Sequence, residues 1–179
     1  MSDTTENTSA PKEQTLYGKC VGTFIAVLNA AGTDGHGLLD KGDLASLRRM
    51  DTLVPAPAFW KLAAASGDAI GRYNEQRWAL VAKCMAVMAP FHQKDIRPGI
   101  ALRDAGFSRN GETRITRLLK AGGENFDDYA LSACRYMASK AAGFDWYSFA
   151  RFLVERDERS RNALARDFYS FSSKDGDKK

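Results

Sequence analysis

Cysteine is rare in this chain of 179 residues, with only Cys20, Cys84 and Cys134 present. None belongs to a CxxC pair, and each sits in an apolar run of helical spacing. An odd set of isolated cysteines argues against a disulfide framework or a reactive thiol and fits small buried hydrophobes in a reducing compartment. No apolar run approaches the roughly 20 residues that a membrane-spanning helix needs. The opening residues, MSDTTENTSAPKEQ, are polar and lack the apolar core of a signal peptide. The expectation is a soluble cytoplasmic protein. No alternating β-branched run of useful length occurs, and no internal repeat or low-complexity region. GxSxG, Walker A, GxGxxG and HExxH motifs are absent. Asp127 and Asp128 are adjacent, so on a helix they do not face each other as an acid–base pair would. Nothing here points to catalysis, to a cofactor or to an enzyme.

The residues that are present read as helix. A hydrophobic fraction of 44% is enough to fill a core. Tyr17, Val21, Phe24, Ile25 and Leu28 form one helical stripe. Gly32, Gly35, Gly37 and Gly42 then mark a loop. Asp43 is expected to cap a short helix carrying Leu44, Leu47 and Met50. Pro57 suits the first turn of the next, with Phe59, Trp60 and Leu62 buried. Residues 75–89 are apolar on most sides and should be central, with Pro90 as the stop. Pro98 opens a short helix that Gly106 ends, and another runs from about Asn110 to Ala121. Residues 126–141 carry Tyr129, Cys134, Met137 and Ala141. Asp145 caps a helix with Trp146, Phe149, Phe152 and Leu153 inward. A last helix, 159–171, places Leu164, Phe168 and Phe171 on one stripe. The fold class is all-α, a two-lobed helical bundle of about eight to nine helices. The lobes are expected at 15–92 and 96–171, hinged near 90–98, with disordered tails at 1–14 and 172–179.

The net charge is +4 and the pI near 9.0. Arg97–Lys120 alone carries that +4, from six basic residues (Arg97, Arg103, Arg109, Arg114, Arg117, Lys120) and two acids (Asp104, Glu112). On a helix at about 100° per residue, Ile115, Leu118 and Leu119 share one side. Arg114, Arg117 and Lys120 lie nearly opposite. The apolar side must pack, which leaves the basic side to meet phosphates, as a polyanion partner requires. The plain alternative is a solvated helix face. Repetition favours the first reading: Lys41, Arg48 and Arg49 cluster with Asp43 as the one acid among them. A third group, Arg151, Arg156, Arg159, Arg161 and Arg166, is partly neutralised by Glu155, Asp157 and Glu158 and fits local i,i+4 pairing.

Two other readings are open. ALRDAGFSRNGETRITRLLKAG has the form of a helix, a tight turn and an Arg- and Thr-rich second helix, as in a helix-turn-helix DNA-binding regulator. Asp34, His36, Asp40 and Asp43 could hold a hard cation in the Gly-rich loop. Their spacing matches no known metal loop, and capping explains them more simply.

Several segments in order resemble one family. KGDLASLRRM (41–50), PAFWKLA (57–63), GIALRDAGFS with RITRLLKAGG (99–108 and 114–123), FDWYSFARFLV (144–154) and RDFY (166–169) are similar to CasB, the small subunit of the type I-E CRISPR Cascade complex. The resemblance covers about Leu38 to Phe171. It implies a non-catalytic, all-helical subunit that needs no metal or cofactor. Its partners would be the backbone and large Cascade subunits, the crRNA, the target and non-target DNA strands, and a second copy of itself. Its basic surfaces would hold nucleic-acid backbone without sequence preference and stabilise the R-loop, while guide pairing reads sequence. On this resemblance Lys41, Arg48, Arg49, Arg114, Arg117 and Lys120 match basic positions of the family, and Arg135 and Lys140 join them. Arg103 and Arg109 complete the candidate nucleic-acid-binding set. After the GFS turn this chain has Arg109-Asn110-Gly111 where the family often has an acid, so the start of the following helix is open.

Overall fold

The computed structural model describes residues 10–32, 37–67, 70–71, 74–88, 92–108, 113–123 and 125–170, with side chains from Tyr17 onward. Among these residues the chain forms nine α-helices and no strand. They are α1 (Ala10–Ala30), α2 (Lys41–Arg49), α3 (Pro57–Ser66), α4 (Glu75–Met88), α5 (Pro98–Asp104), α6 (Thr113–Lys120), α7 (Asn125–Ser139), α8 (Trp146–Glu155) and α9 (Glu158–Tyr169). Helix α1 begins at Ala10, inside the stretch 1–14 expected as a tail. Pro11 suits a first turn and Lys, Glu and Gln are good helix formers, so polarity there does not forbid a helix.

Local signals set most boundaries. Asp40, not Asp43, is the N-cap of α2. Its carboxylate accepts from the Asp43 N–H at 2.7 Å, and Asp43 in turn accepts from the Asp40 N–H at 3.2 Å. This reciprocal box satisfies two donors that the first turn leaves unpaired. Pro57 and Pro98 each open a helix, where a missing N–H costs nothing. Gly106, at φ 77°, lets α5 end in a turn in which the Phe107 N–H reaches the Leu102 carbonyl at 3.0 Å. Asp145 and Asp157 cap α8 and α9 by accepting from the N–H groups of Tyr147 and Ser160, both at 2.8 Å.

Helix α4 is the axis of the fold. Trp78 to Ala82, Cys84 to Ala86 and Met88 are all buried, as its nearly all-round apolar sequence requires. It packs against α1, α2, α7 and α8, so helices from both halves of the chain share one core. The connector at 92–96 is stitched to the α7–α8 junction. Gln93 N–H donates to the Phe144 carbonyl at 3.2 Å, and Asp145 N–H to the Ile96 carbonyl at 2.7 Å. Within the core, Phe144, Trp146, Phe149 and Phe152 form a chain of ring contacts with centroids 4.7 to 5.7 Å apart. Phe126 extends it through Phe152 at 5.3 Å. Burying each such ring contributes about 2–3 kcal/mol, against about 0–1 kcal/mol for an exposed ion pair. Aromatic packing therefore contributes more to holding the bundle than exposed ion pairs do. Trp60 departs from expectation. It is 45% exposed, its ring edge-on to Phe59 at 5.1 Å, because Ala58, Phe59 and Leu62 already fill the inner side of the short α3.

Candidate nucleic-acid interface

Helix α6 divides as its sequence implies. Ile115 and Leu118 are fully buried and Leu119 is partly so. Arg114, Arg117 and Lys120 are exposed. Steps of three residues turn about −60° each, so the three cations span about 120° of the outer surface. None of them joins an ion pair among the described residues. The Ser108 hydroxyl accepts from the Ile115 N–H at 3.3 Å and ties the first turn to the end of α5.

The adjoining surface of α7 adds cations. Arg135 and Lys140 are exposed. The Arg114 guanidinium lies 5.4 Å from the centroid of the Tyr136 ring, and the Lys140 ammonium 5.7 Å from the same centroid. Tyr136 itself is fixed: its hydroxyl donates towards the Ala105 and Gly106 carbonyls, each at 2.9 Å, and its ring meets Phe107 edge-on at 5.3 Å. Residues from α5, α6 and α7 thus meet at one aromatic side chain. Sequence reasoning missed Tyr136. The available signal was its place four residues before Lys140, one helical turn along the same side.

On α2, Lys41 and Arg49 are exposed. Arg49 lines a cleft of about 750 Å³ that also takes in Lys83, Gly123, Asp127, Asp128 and Arg156. The cleft runs from the end of α2 to Gly123 and the N-terminal half of α7. Most of its charge is already committed. Lys83 donates to the Met50 carbonyl at 2.7 Å, and Arg156 pairs with Asp127 at 2.7 Å while stacking on Phe126 at 4.3 Å. The Arg156 contacts also hold that residue at φ 53°, a left-handed conformation that ends α8.

Other candidates bond elsewhere in the fold. Arg103 hydrogen-bonds the Ser170 carbonyl and hydroxyl at the end of α9 and pairs with Asp104 at 2.9 Å. Arg48 is exposed, yet its Nε donates to the Ala86 carbonyl at 2.9 Å. Arg97 pairs with Asp167 at 2.8 Å. Arg109, Asn110 and Gly111 lie outside the described residues. In the third basic group, Arg151 and Glu155 form the expected i,i+4 pair at 2.8 Å. Arg77, absent from the candidate set, donates to the Val154 carbonyl at 2.6 Å, and Arg161 to the Leu119 carbonyl at 3.3 Å. With Lys83, Arg48 and Arg103, five cations thus bond carbonyls at the C-terminal ends of helices, where the backbone lacks partners and carries partial negative charge. Lys83 could have been suspected, as a lone cation in the apolar run LVAKCMAVM.

The cation-site reading finds no support in the arrangement. Asp40 and Asp43 cap α2, and the Lys61 ammonium, 2.7 Å away, holds the Asp43 carboxyl below the usual carboxylate range. No group of three potential metal ligands occurs among the described residues. Asp34 and His36 lie outside those residues. The three cysteines are buried and unpaired. Burial pushes the Cys20 thiol up to about 12 and that of Cys134 well above its ordinary value. No helix among the described residues is long and apolar enough to cross a membrane.

The fold is an all-α bundle whose α6–α7 surface carries exposed cations that join no ion pair among the described residues. The model of the family CRISPR-associated protein Cse2 matches residues 43–169, and the chain belongs to that family. Cse2 and CasB are the same family, so the resemblance carried by the GDLASLRRM to RDFY segments holds. Two solved structures share the fold. One chain is from the crystal structure of E. coli Cascade bound to a PAM-containing dsDNA target, at 25% identity and TM-score 0.60, covering 86% of this chain and 91% of that one. The other is a CRISPR-associated protein of the Cse2 family from Thermus thermophilus, at 19% identity and TM-score 0.62, covering 86% of this chain and 97% of that one. No curated protein matches the chain.

Proposed function

We propose that this chain is the small subunit of a type I-E Cascade complex and that it binds nucleic-acid backbone without reading sequence. Membership of the Cse2 family and the likeness to a chain of E. coli Cascade support the assembly. The observation that carries the binding role is the outer face of α6, where Arg114, Arg117 and Lys120 are exposed and join no ion pair among the described residues, above a buried apolar face. Such donors suit phosphates and cannot by themselves distinguish bases.

On this reading the subunit is not an enzyme. It works in the cytoplasm beside the backbone and large subunits, the crRNA and a second copy of itself, and it stabilises the target strand and the displaced non-target strand of the R-loop. Lys41, Arg49, Arg135 and Lys140 extend the basic track. Arg48 and Arg103 contribute mainly by holding helix ends. Two lobes at 15–92 and 96–171, joined around a shared core, would let one subunit touch more than one neighbour.

The test is the Arg114→Glu/Arg117→Glu/Lys120→Glu variant in reconstituted Cascade. It should keep the wild-type melting temperature within about 2 °C, since exposed positions are changed. R-loop stability should fall at least tenfold, as expected when three phosphate contacts become repulsive. Wild-type R-loop stability in that variant would rule the face out.

A further inference from the structure

We propose that Tyr136 is a positioning residue that pre-assembles Arg114 and Lys140 into one two-cation subsite for adjacent phosphates of a single nucleic-acid strand. The inference rests on reading the α6–α7 face as a nucleic-acid interface and adds to it how that face is organised.

Three observations place Tyr136 in this role. The first is convergence. Arg114 comes from α6 and Lys140 follows the end of α7, yet both charged groups lie within 6 Å of one ring centroid, at 5.4 and 5.7 Å. The two charges are therefore within about 11 Å of each other. The second is rigidity. The Tyr136 hydroxyl is held by the Ala105 and Gly106 carbonyls, and Phe107 packs on the ring. Those carbonyls belong to the turn that ends α5, so the ring is fixed to the fold rather than to a loose side chain. The third is the nature of the contact. An aromatic face attracts a cation without cancelling its charge. A carboxylate in the same place would hold the two chains equally well and would repel the phosphate.

Long Arg and Lys side chains lose rotamer freedom when they bind, and ordering them beforehand removes that loss from the binding step. Two cations brought together without a counter-ion also repel each other. Adjacent phosphates, one at each cation, relieve that repulsion. The subsite is thus ordered by the ring and completed by the ligand. The ring edge points into the fold through its hydroxyl, which assigns Tyr136 to holding cations and not to stacking a base.

The experiment measures binding of the full chain to a labelled polythymidine strand over a series of salt concentrations, with variants Tyr136→Leu, Tyr136→Phe and Arg114→Gln/Lys140→Gln. Tyr136→Leu should weaken binding roughly tenfold, the loss expected when two side chains are no longer pre-ordered. Its salt slope should match the wild type, because every cation is still present. Tyr136→Phe keeps the ring but loses both carbonyl bonds that fix it, and should fall between wild type and Tyr136→Leu. Arg114→Gln/Lys140→Gln should flatten the slope by up to about 1.4, two single-strand contacts at about 0.7 each. Adding Tyr136→Leu to that double variant should change affinity no further. Wild-type affinity in Tyr136→Leu overturns the assignment. So does an undiminished loss in the Arg114→Gln/Lys140→Gln background, which would mean that the ring touches the strand itself. If the triple Glu variant at Arg114, Arg117 and Lys120 also binds polythymidine as wild type does, the interface reading itself fails, whereas a defective triple variant beside a normal Tyr136→Leu removes only the role of Tyr136.

Discussion

Replacing Gly99 by Ala tests how closely the fold behind the basic face is packed. Gly99 lies in the first turn of α5, at ordinary helical φ, so helix propensity alone favours Ala by about 0.5–1 kcal/mol. The structure opposes this. A Cβ at Gly99 would lie 2.5 Å from the Leu164 carbonyl oxygen, 2.6 Å from Asp167 Cβ and 2.7 Å from the Phe168 nitrogen. Two of these atoms are backbone of α9 and cannot rotate aside. Ordinary contact begins near 3.4 Å, so α5 must lift from α9 by about 1 Å. That lift loosens packing around Leu102, Leu164 and Phe168, all buried. Overpacking of this kind costs about 1–3 kcal/mol. Against the propensity gain, the net is a destabilisation of about 0–2.5 kcal/mol, about 1 at mid-range. For a chain of this length the mid-range value lowers the melting temperature by about 2–4 °C, readable by circular dichroism. Gly122 has nothing within 4 Å of its would-be Cβ and serves as the control. Gly122→Ala should melt within about 2 °C of wild type. A Gly99→Ala protein that melts at or above the wild type would refute the packing argument and leave propensity in command.

Other outcomes follow from the same geometry. Arg103→Gln should lower the melting temperature by about 2–6 °C, because it strips the Ser170 carbonyl of its donor, yet leave the salt slope of DNA binding unchanged; Arg117→Gln should do the reverse, with a slope lower by about 0.7 on single strands. Alkali should destabilise the protein. Cys20 rises from 9.0 to about 12 on folding, so above pH about 9 the unfolded chain releases a proton that the folded one keeps, and the unfolding free energy falls as pH rises. Urea midpoints measured from neutral pH upward should show that fall, and Cys20→Ala, although less stable throughout, should show a shallower one. A steeper fall in Cys20→Ala would contradict the assignment.

Much of this was readable from residue spacing. The division of α6 into Ile115, Leu118 and Leu119 against Arg114, Arg117 and Lys120 needs only 3.6 residues per turn, and α4 declared itself central by being apolar on nearly every side. Asp40 and Asp43 show the limit of local reading. Either acid could begin α2, and the chain's path out of the glycine loop makes Asp40 the cap and Asp43 its reciprocal partner. The partners of Arg103 were hidden for a non-local reason. One of them, Ser170, is 67 residues away and reaches Arg103 only because α5 packs on α9. Tyr136 was overlooked because a single tyrosine in an amphipathic helix has no pattern of its own; its meaning comes from two cations that tertiary structure delivers to it. The segments resembling CasB carried the family, since ordered motifs across a chain are constrained by the whole fold rather than by one helix.

A basic pI is an ambiguous signal in a protein built this way. The nine helices among the described residues expose many C-terminal carbonyl ends, and each is a weak negative pole that a lysine or arginine can satisfy. Arg48, Arg77, Lys83, Arg103 and Arg161 do so here. Removing any of these weakens the fold first and the interface second. Arg97, Arg151 and Arg156 are neutralised by Asp167, Glu155 and Asp127. Arg114 and Lys140 are held differently, by a ring that restrains position and leaves charge intact. A polyanion rewards that combination, because counterion release scales with the charge still available when the strand arrives. On the proposed reading, the cations to test first are those held in place without being cancelled, and Arg114 and Lys140 beside Tyr136 meet that criterion.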